Sequence, residues 1–172
     1  MGINSAANIN ISSDSALTLN GSVVANNQAN ITSSNFTNNG KVDIGDSALT
    51  STWNVQGTLA NNGIINSKSN LLLNADTASN DGTFNTTKAL TINTKAFTNT
   101  KNGDLSTKGR LTISGKGQSL TDRSISFTNA GTIVADQGFD LSANTITNAI
   151  TNDNSIKVTG NSQWYFNSLS ST

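Results

Sequence analysis

The sequence predicts an all-β protein, a single-stranded right-handed parallel β-helix with about 19 residues per coil. Three observations predict it. Asn, Ser and Thr supply 75 of the 172 residues while hydrophobic residues make up only 34%, too few for a compact globule to offset chain entropy. Net charge is zero, and Val, Ile and Thr together number 44, which argues for strands and against a charged, disordered chain. Finally, one short unit recurs at a near-constant spacing.

That unit is an apolar residue, one spacer and Asn. It appears as Phe36-Thr37-Asn38, Leu59-Ala60-Asn61, Ala78-Ser79-Asn80, Phe97-Thr98-Asn99, Phe127-Thr128-Asn129 and Ile146-Thr147-Asn148. The steps between these asparagines are 23, 19, 19, 30 and 19 residues. After most of them comes Gly, a spacer and an apolar residue: Gly40/Val42, Gly63/Ile65, Gly82/Phe84, Gly103/Leu105 and Gly131/Ile133. Six residues later a second apolar slot opens at Leu71, Leu90, Leu111 and Phe139, and seven residues after that the first slot returns. Three short strands per coil therefore turn their apolar side chains inward. A lone coil cannot bury them, but coils stacked about 4.8 Å apart can. Ile65, Phe84, Leu105 and Ile133 should form one interior column, and Leu71, Leu90, Leu111 and Phe139 a second. The recurring Asn should stack into an amide ladder, and the Gly should supply positive φ at a corner.

The departures read as insertions. The 30-residue step places nine extra residues at Gly115–Arg123, an extruded loop. The 23-residue step places four near Ser47–Val55, a stretch that includes Trp53. The whole of 1–172 reads as one domain, a piece of a larger exoprotein, with register clearest over 36–158. Before Phe36 the register is blurred, although Ile9-x-Ile11, Leu17-x-Leu19 and Val24-x-Asn26 have the look of the same strands.

Absent residue types narrow the function. There is no Pro, Cys, His or Glu. That removes disulfides, thiol nucleophiles and the commonest general base. The expectation is a protein with no catalytic residues, no cofactor and no metal. Asp43/Asp46 and Asp136/Asp140 read as local pairs of solvated turn caps, not as a catalytic cluster. Asn80-Asp81-Gly82 and Asn152-Asp153-Asn154 lack the remaining ligands of a calcium loop. Gly115-x-Gly117 lacks the rest of a nucleotide loop, and the ten scattered basic residues form no nucleic-acid patch. Runs such as Leu90-Thr91-Ile92-Asn93-Thr94 resemble the stripes of ice-binding β-helices, but the Thr positions are not expected to hold one column over many coils. No apolar run is long enough for a transmembrane helix, and Met1-Gly2 reads as a translation start, not a myristoylation signal.

Two large aromatics stand out. Trp53 and Trp164 lie in similar pieces, Ser51-Thr52-Trp53-Asn54-Val55 and Ser162-Gln163-Trp164-Tyr165-Phe166. Each either plugs a coil interior or offers an exposed contact to a sugar or partner; on the second reading they are the candidate contact residues.

Units such as Phe127-Thr128-Asn129-x-Gly131-x-Ile133 followed by Phe139-x-Leu141 resemble the repeats of filamentous haemagglutinin-like exoproteins of two-partner secretion. The stretch Ser51-x-Trp53-Asn54-Val55-x-Gly57-x-Leu59-x-Asn61-x-Gly63-x-Ile65 is similar to passenger domains of autotransporter adhesins. The resemblance covers about residues 36 to 166. It implies export and display at the bacterial cell surface as a β-helical rod, serving adhesion, autoaggregation, biofilm formation or virulence. The implied partners are a host or bacterial surface receptor, a glycan, or like molecules on neighbouring cells, with no nucleic acid and no membrane-spanning segment. The family's secretion domain carries Asn-Pro motifs and this chain has no Pro, so the piece reads as stalk or mid-passenger. The alternative on the same scaffold is a carbohydrate-active enzyme or a tailspike fragment, which needs several carboxylates in one place.

Overall fold

A computed structural model describes residues 2–149 and 155–171. Met1 and the Asn152-Asp153-Asn154 run lie outside the described residues. The strands fall into eight successive coils. The first holds β1 (Gly2–Ser5), β2 (Ile9–Ser12) and β3 (Leu17–Leu19), and the second β4 (Ser22–Ala25), β5 (Ala29–Ser33) and β6 (Phe36–Asn38). The third has β7 (Lys41–Ile44), β8 (Ser51–Val55) and β9 (Thr58–Asn61), and the fourth β10 (Ile64–Ser67), β11 (Leu71–Asn74) and β12 (Thr77–Asn80). The fifth has β13 (Thr83–Thr86), β14 (Leu90–Asn93) and β15 (Ala96–Asn99), and the sixth β16 (Asp104–Thr107), β17 (Leu111–Ser114) and β18 (Ile125–Asn129). In the seventh and eighth, β19 (Thr132–Ala135) and β21 (Ile156–Val158) are followed by the long strands β20 (Phe139–Asn148) and β22 (Trp164–Ser171).

Each strand pairs in parallel with its counterpart one coil away, giving a three-faced parallel β-solenoid. The first face runs β1-β4-β7-β10-β13-β16-β19-β21. The second and third faces are separate until β20, which pairs with β17 through its first half and with β18 through its second. That continuous strand joins both faces into one 14-stranded sheet.

The period-2 alternation of each strand makes the core. Val42, Ile65, Phe84, Leu105 and Ile133 stack in one column, and Leu71, Leu90, Leu111 and Phe139 in a second. Every one of these side chains is at most 2% exposed, and each contributes roughly 1.5–3 kcal/mol by burial. The expected columns are therefore the core. Leu17, Phe36, Leu59, Ala78, Phe97, Phe127 and Ile146 make the column of the third face. Beside it the expected amide ladder is present. Asn38 donates to Asn61 and Asn61 to Asn80, each at 2.8 Å, and the chain of bonds continues through Asn99, Asn129 and Asn148 at 2.9 Å each. The amides lie inside the rod, where every N–H and C=O needs a partner; the neighbour one coil away supplies it.

Four expectations change. The phase in β4 is shifted by one: Val23 and Ala25 point inward and Val24 outward, so the run Val24-x-Asn26 does not mark the interior. The corner Gly are not selected for φ: among the described glycines only Gly117, Gly138 and Gly160 have positive φ. Gly40, Gly63 and Gly82 stack so closely that a Cβ on Gly63 would lie 2.1 Å from the Gly40 oxygen, and one on Gly82 2.1 Å from that of Gly63. Their role is coil-to-coil approach. Trp53 is not part of an insertion, since it sits in β8 opposite Ile31 and Leu73; the extra length lies chiefly in the turn 45–50 between β7 and β8. Asp140 is not a turn cap. It lies in β20 at 8% exposure, where it accepts from Arg110 at 2.7 Å and from the Gln163 amide at 3.1 Å.

The excursion after β17 is where the spacing placed it. Residues 116–119 and 121–124 are exposed. The segment is nonetheless built: Ser119 and Asp122 form a capping box around a single 3-10 turn, Leu120–Asp122.

Candidate functional site

Binding by a solenoid rests on what its strands turn outward, so the three faces are compared by their outward columns. The first face is charged and mixed, with Lys41, Ile64 and Asp104 in one column and Asp43, Asn66 and Lys157 in the other. Beside it lies a shallow hollow of ≈ 400 Å³ lined by Asp43, Asn66 and Lys68 among others. Burial pushes the Asp43 carboxyl up, but hydrogen bonds from Lys41 and Asn66 and the charges of Lys41 and Lys68 together bring it below its ordinary value. The second face carries Asn and Thr: Asn74 donates to Asn54 and Asn93 to Asn74 at 2.9 Å each, an outer amide ladder.

The third face differs from both. Its central outward column is Thr18, Thr37, Ala60, Ser79, Thr98, Thr128, Thr147 and Ser170, in register through all eight coils. A second column runs Thr58, Thr77, Ala96, Ser126, Thr145 and Ser168. Neither contains a charged or a bulky side chain. The result is a flat array of hydroxyls and methyls, with a repeat of about 4.8 Å along the rod and about 6.6 Å across it. Hydroxyls within it also meet, as Thr58 and Thr77 do at 3.0 Å. The inner Asn ladder lies directly beneath, and a corner ladder flanks it, with Asn39 donating to Asn20 and Asn62 to Asn39 at 2.9 Å each. The array is therefore backed by fixed hydrogen bonds. As expected, Thr alone does not hold a column over many coils: Ser79, Ser126, Ser168 and Ser170 lack the methyl and Ala60 and Ala96 the hydroxyl, so both columns mix Thr with Ser and Ala.

The two tryptophans part company. Trp53 has no exposed surface, meets Phe36 edge-on with ring centroids 5.2 Å apart and donates its indole N–H to the Ala29 carbonyl at 2.9 Å. It is a core plug and offers no contact to a partner. Trp164 is 37% exposed, packs edge-on against Phe139 at 5.4 Å and donates to the Phe139 carbonyl at 2.9 Å. It lies at the open end of the core, away from the third-face array.

Four of the ten acidic groups form separate ion pairs, Asp43–Lys41, Asp46–Lys88, Asp76–Lys95 and Asp140–Arg110, at 2.6–2.8 Å. Among the described residues no three acidic or metal-ligating side chains gather where an ion could sit, and no helix is long and apolar enough to cross a membrane. No family model matches the chain, and no curated protein or solved structure matches it. The likeness to haemagglutinin-type repeats accordingly rests on the motifs quoted above.

Proposed function

We propose that the chain is an adhesive segment of a bacterial surface or secreted protein, a rod that binds and does not catalyse. The observation that carries this reading is the third-face array, uncharged over eight coils and backed from the second to the seventh by the inner Asn ladder. Each hydroxyl makes a weak contact with a glycan or with another polar surface, and a rigid row of them adds through multivalency. The separate ion pairs of four carboxylates and the lack of an acidic cluster among the described residues support binding over glycoside hydrolysis, which needs two carboxyls facing one bond. Display outside the cell follows from the resemblance to exported β-helical adhesins, and the lack of Cys suits a chain that crosses an oxidising compartment unfolded.

The test is to display the chain on cells that do not otherwise clump or attach and to measure both behaviours. Thr77→Arg, Thr98→Arg and Thr128→Arg together should abolish them, while the purified variant keeps the parent's circular-dichroism spectrum and melting temperature. Adhesion that survives the triple change, or that survives replacement of the segment by unrelated coils, would make the chain a spacer.

A further inference from the structure

The hollow beside the first face is built by a departure from the repeat. The turn 45–50 leaves that face after β7. Its first half is held toward later coils. Ser69 Oγ donates to the Gly45 carbonyl at 2.7 Å, and Lys88, two coils on, donates to Asp46 at 2.6 Å and to the Ser47 carbonyl at 3.0 Å. On the other side the corner of the second coil is left open, with Asn26 exposed. Between them lies the space of ≈ 400 Å³, lined by Val24, Asn26, Asp43, Ile44, Asn66 and Lys68 among others. It spans the second to fourth coils, within the rod.

The lining keeps bonding capacity. Asp43 accepts from Lys41 at 2.7 Å through one carboxyl oxygen and from Asn66 at 2.8 Å through the other. A carboxylate has about four acceptor sites, so about two stay open, and this side chain is 31% exposed. Asn66 has committed one of its two amide N–H groups to Asp43. Charge then decides what the hollow would hold. Lys41 and Asp43 neutralise each other, as do Lys88 and Asp46. Lys68 enters no ion pair among the described residues. The hollow is left with one uncompensated charge, which is positive, and with no carboxylate to seat a second cation.

We propose that this hollow binds one carboxylated sugar residue, a uronic acid, with its carboxylate on Lys68, ring hydroxyls on Asp43 and Asn66, and the C–H face of the ring against Val24 and Ile44. A hydroxyl both donates and accepts, so neighbouring ring hydroxyls meet the Asp43 carboxylate as donors and the Asn66 amide as acceptors. The ligand carboxylate on the Lys68 ammonium makes a charge-assisted bond, stronger than a neutral one. Apolar walls with a few convergent polar groups, in a space of about 300–1,000 Å³, are the usual form of a small-ligand site. An amino acid fits less well, because its ammonium has no unpaired carboxylate to meet. The proposal is independent of the adhesive reading, because it involves the first face and not the third.

Titration of the isotope-labelled chain, followed by its amide chemical shifts, tests the site with methyl glucuronide and methyl glucoside. The two probes differ only in a carboxylate against a hydroxymethyl group on the ring. The glucuronide should give saturable shifts confined to residues 24–26, 43–45 and 66–68. It should bind about tenfold more tightly than the glucoside, the worth of one charge-assisted contact. Lys68→Gln should bring the glucuronide down to the glucoside's affinity without moving the melting temperature, since the side chain is exposed. Asp43→Asn should weaken both sugars; a site that worked by charge alone would instead bind the glucuronide more tightly once that negative charge is gone. The triple arginine variant of the third face should bind the glucuronide as the parent does, so failure of one site is told from failure of the other. No saturable shift with either sugar, shifts centred elsewhere, equal affinity of the parent for both, or tighter glucuronide binding by Asp43→Asn would each overturn the proposal.

Discussion

Leu90 is enclosed by Leu71 and Leu111 above and below, with no exposed surface. An aspartate there places an unpaired charge in a core one coil wide. Leu90→Asp should cost about 4 kcal/mol or more, seen as a large fall in melting temperature; a variant that melts with the parent would mean the column is misassigned. Asn80 serves two neighbours, accepting from Asn61 at 2.8 Å and donating to Asn99 at 2.9 Å. Asn80→Ala strands buried groups on both sides and should cost about 1–3 kcal/mol for each left unpaired, whereas Asn93→Ala on the outer ladder, open to water, should cost less by the same melt. These inward residues were legible because a constant period ties each to the next coil. The third-face array was legible too, but unread: its central column is the spacer of the apolar-x-Asn unit, Thr37, Ala60, Ser79, Thr98, Thr128 and Thr147. No run of Thr marks it, because Ser and Ala share the column and the 23- and 30-residue steps break a fixed count.

At the scale of elements, the Gly115–Ser124 excursion is the departure that a proteolysis experiment addresses. Lys116 is exposed and precedes Gly117, whose φ is +69°. Arg123 is held more firmly, in the left-handed region with its amide bonded to Ser142 Oγ at 2.9 Å. Limited trypsin digestion should therefore cut after Lys116 before Arg123. Lys88 and Lys95 are engaged with Asp46 and Asp76 on the rod itself, and first cuts there would refute the ordering. The position and length of this loop follow from spacing alone. The fusion of the second and third faces in β20 does not. Gly115–Arg123 marks a corner in one coil, and nothing in Ser142-Ala143-Asn144 announces that strand pairing carries on past the same corner in the next. That continuity is a tertiary effect: β20 shifts register against β18 at this point, and β22 pairs along both of its halves. The same limit explains Asp140, whose burial depends on Arg110, a residue 30 positions earlier. It also explains β4, where Val23-Val24 offers two apolar residues and only stacking on Val42 chooses between them.

For the whole molecule, charge and length set two further expectations. Lys88 and Lys95 hold the carboxyls of Asp46 and Asp76 below their ordinary value, and Asp43 lies below it by the balance already described. A carboxyl lowered by folding stabilises the fold above its unfolded pKa, and that stabilisation is lost as pH falls through the folded value. With no His in the chain, thermal melts should be flat from about pH 5 to 8 and decline only below about pH 4; a transition near pH 6 would contradict this. Length is the sharper test. In a solenoid each coil touches only its neighbours, so stability is close to a sum over coils and their interfaces. Removing residues 62–80, one 19-residue unit, joins Asn61 to Asp81-Gly82 as it was joined to Asn62-Gly63. Phe84 then stacks on Val42, Leu90 on Ser51 and Phe97 on Leu59, the positions that Ile65, Leu71 and Ala78 leave. The shortened chain should keep the parent's circular dichroism per residue and melt only a few degrees lower. Removing residues 62–71 instead leaves a coil with too few residues to pass round three faces, so every column above it loses its partner below. That variant should fail to fold cooperatively, although it lacks fewer residues. Equal behaviour of the two deletions would show that the chain does not hold its register coil by coil.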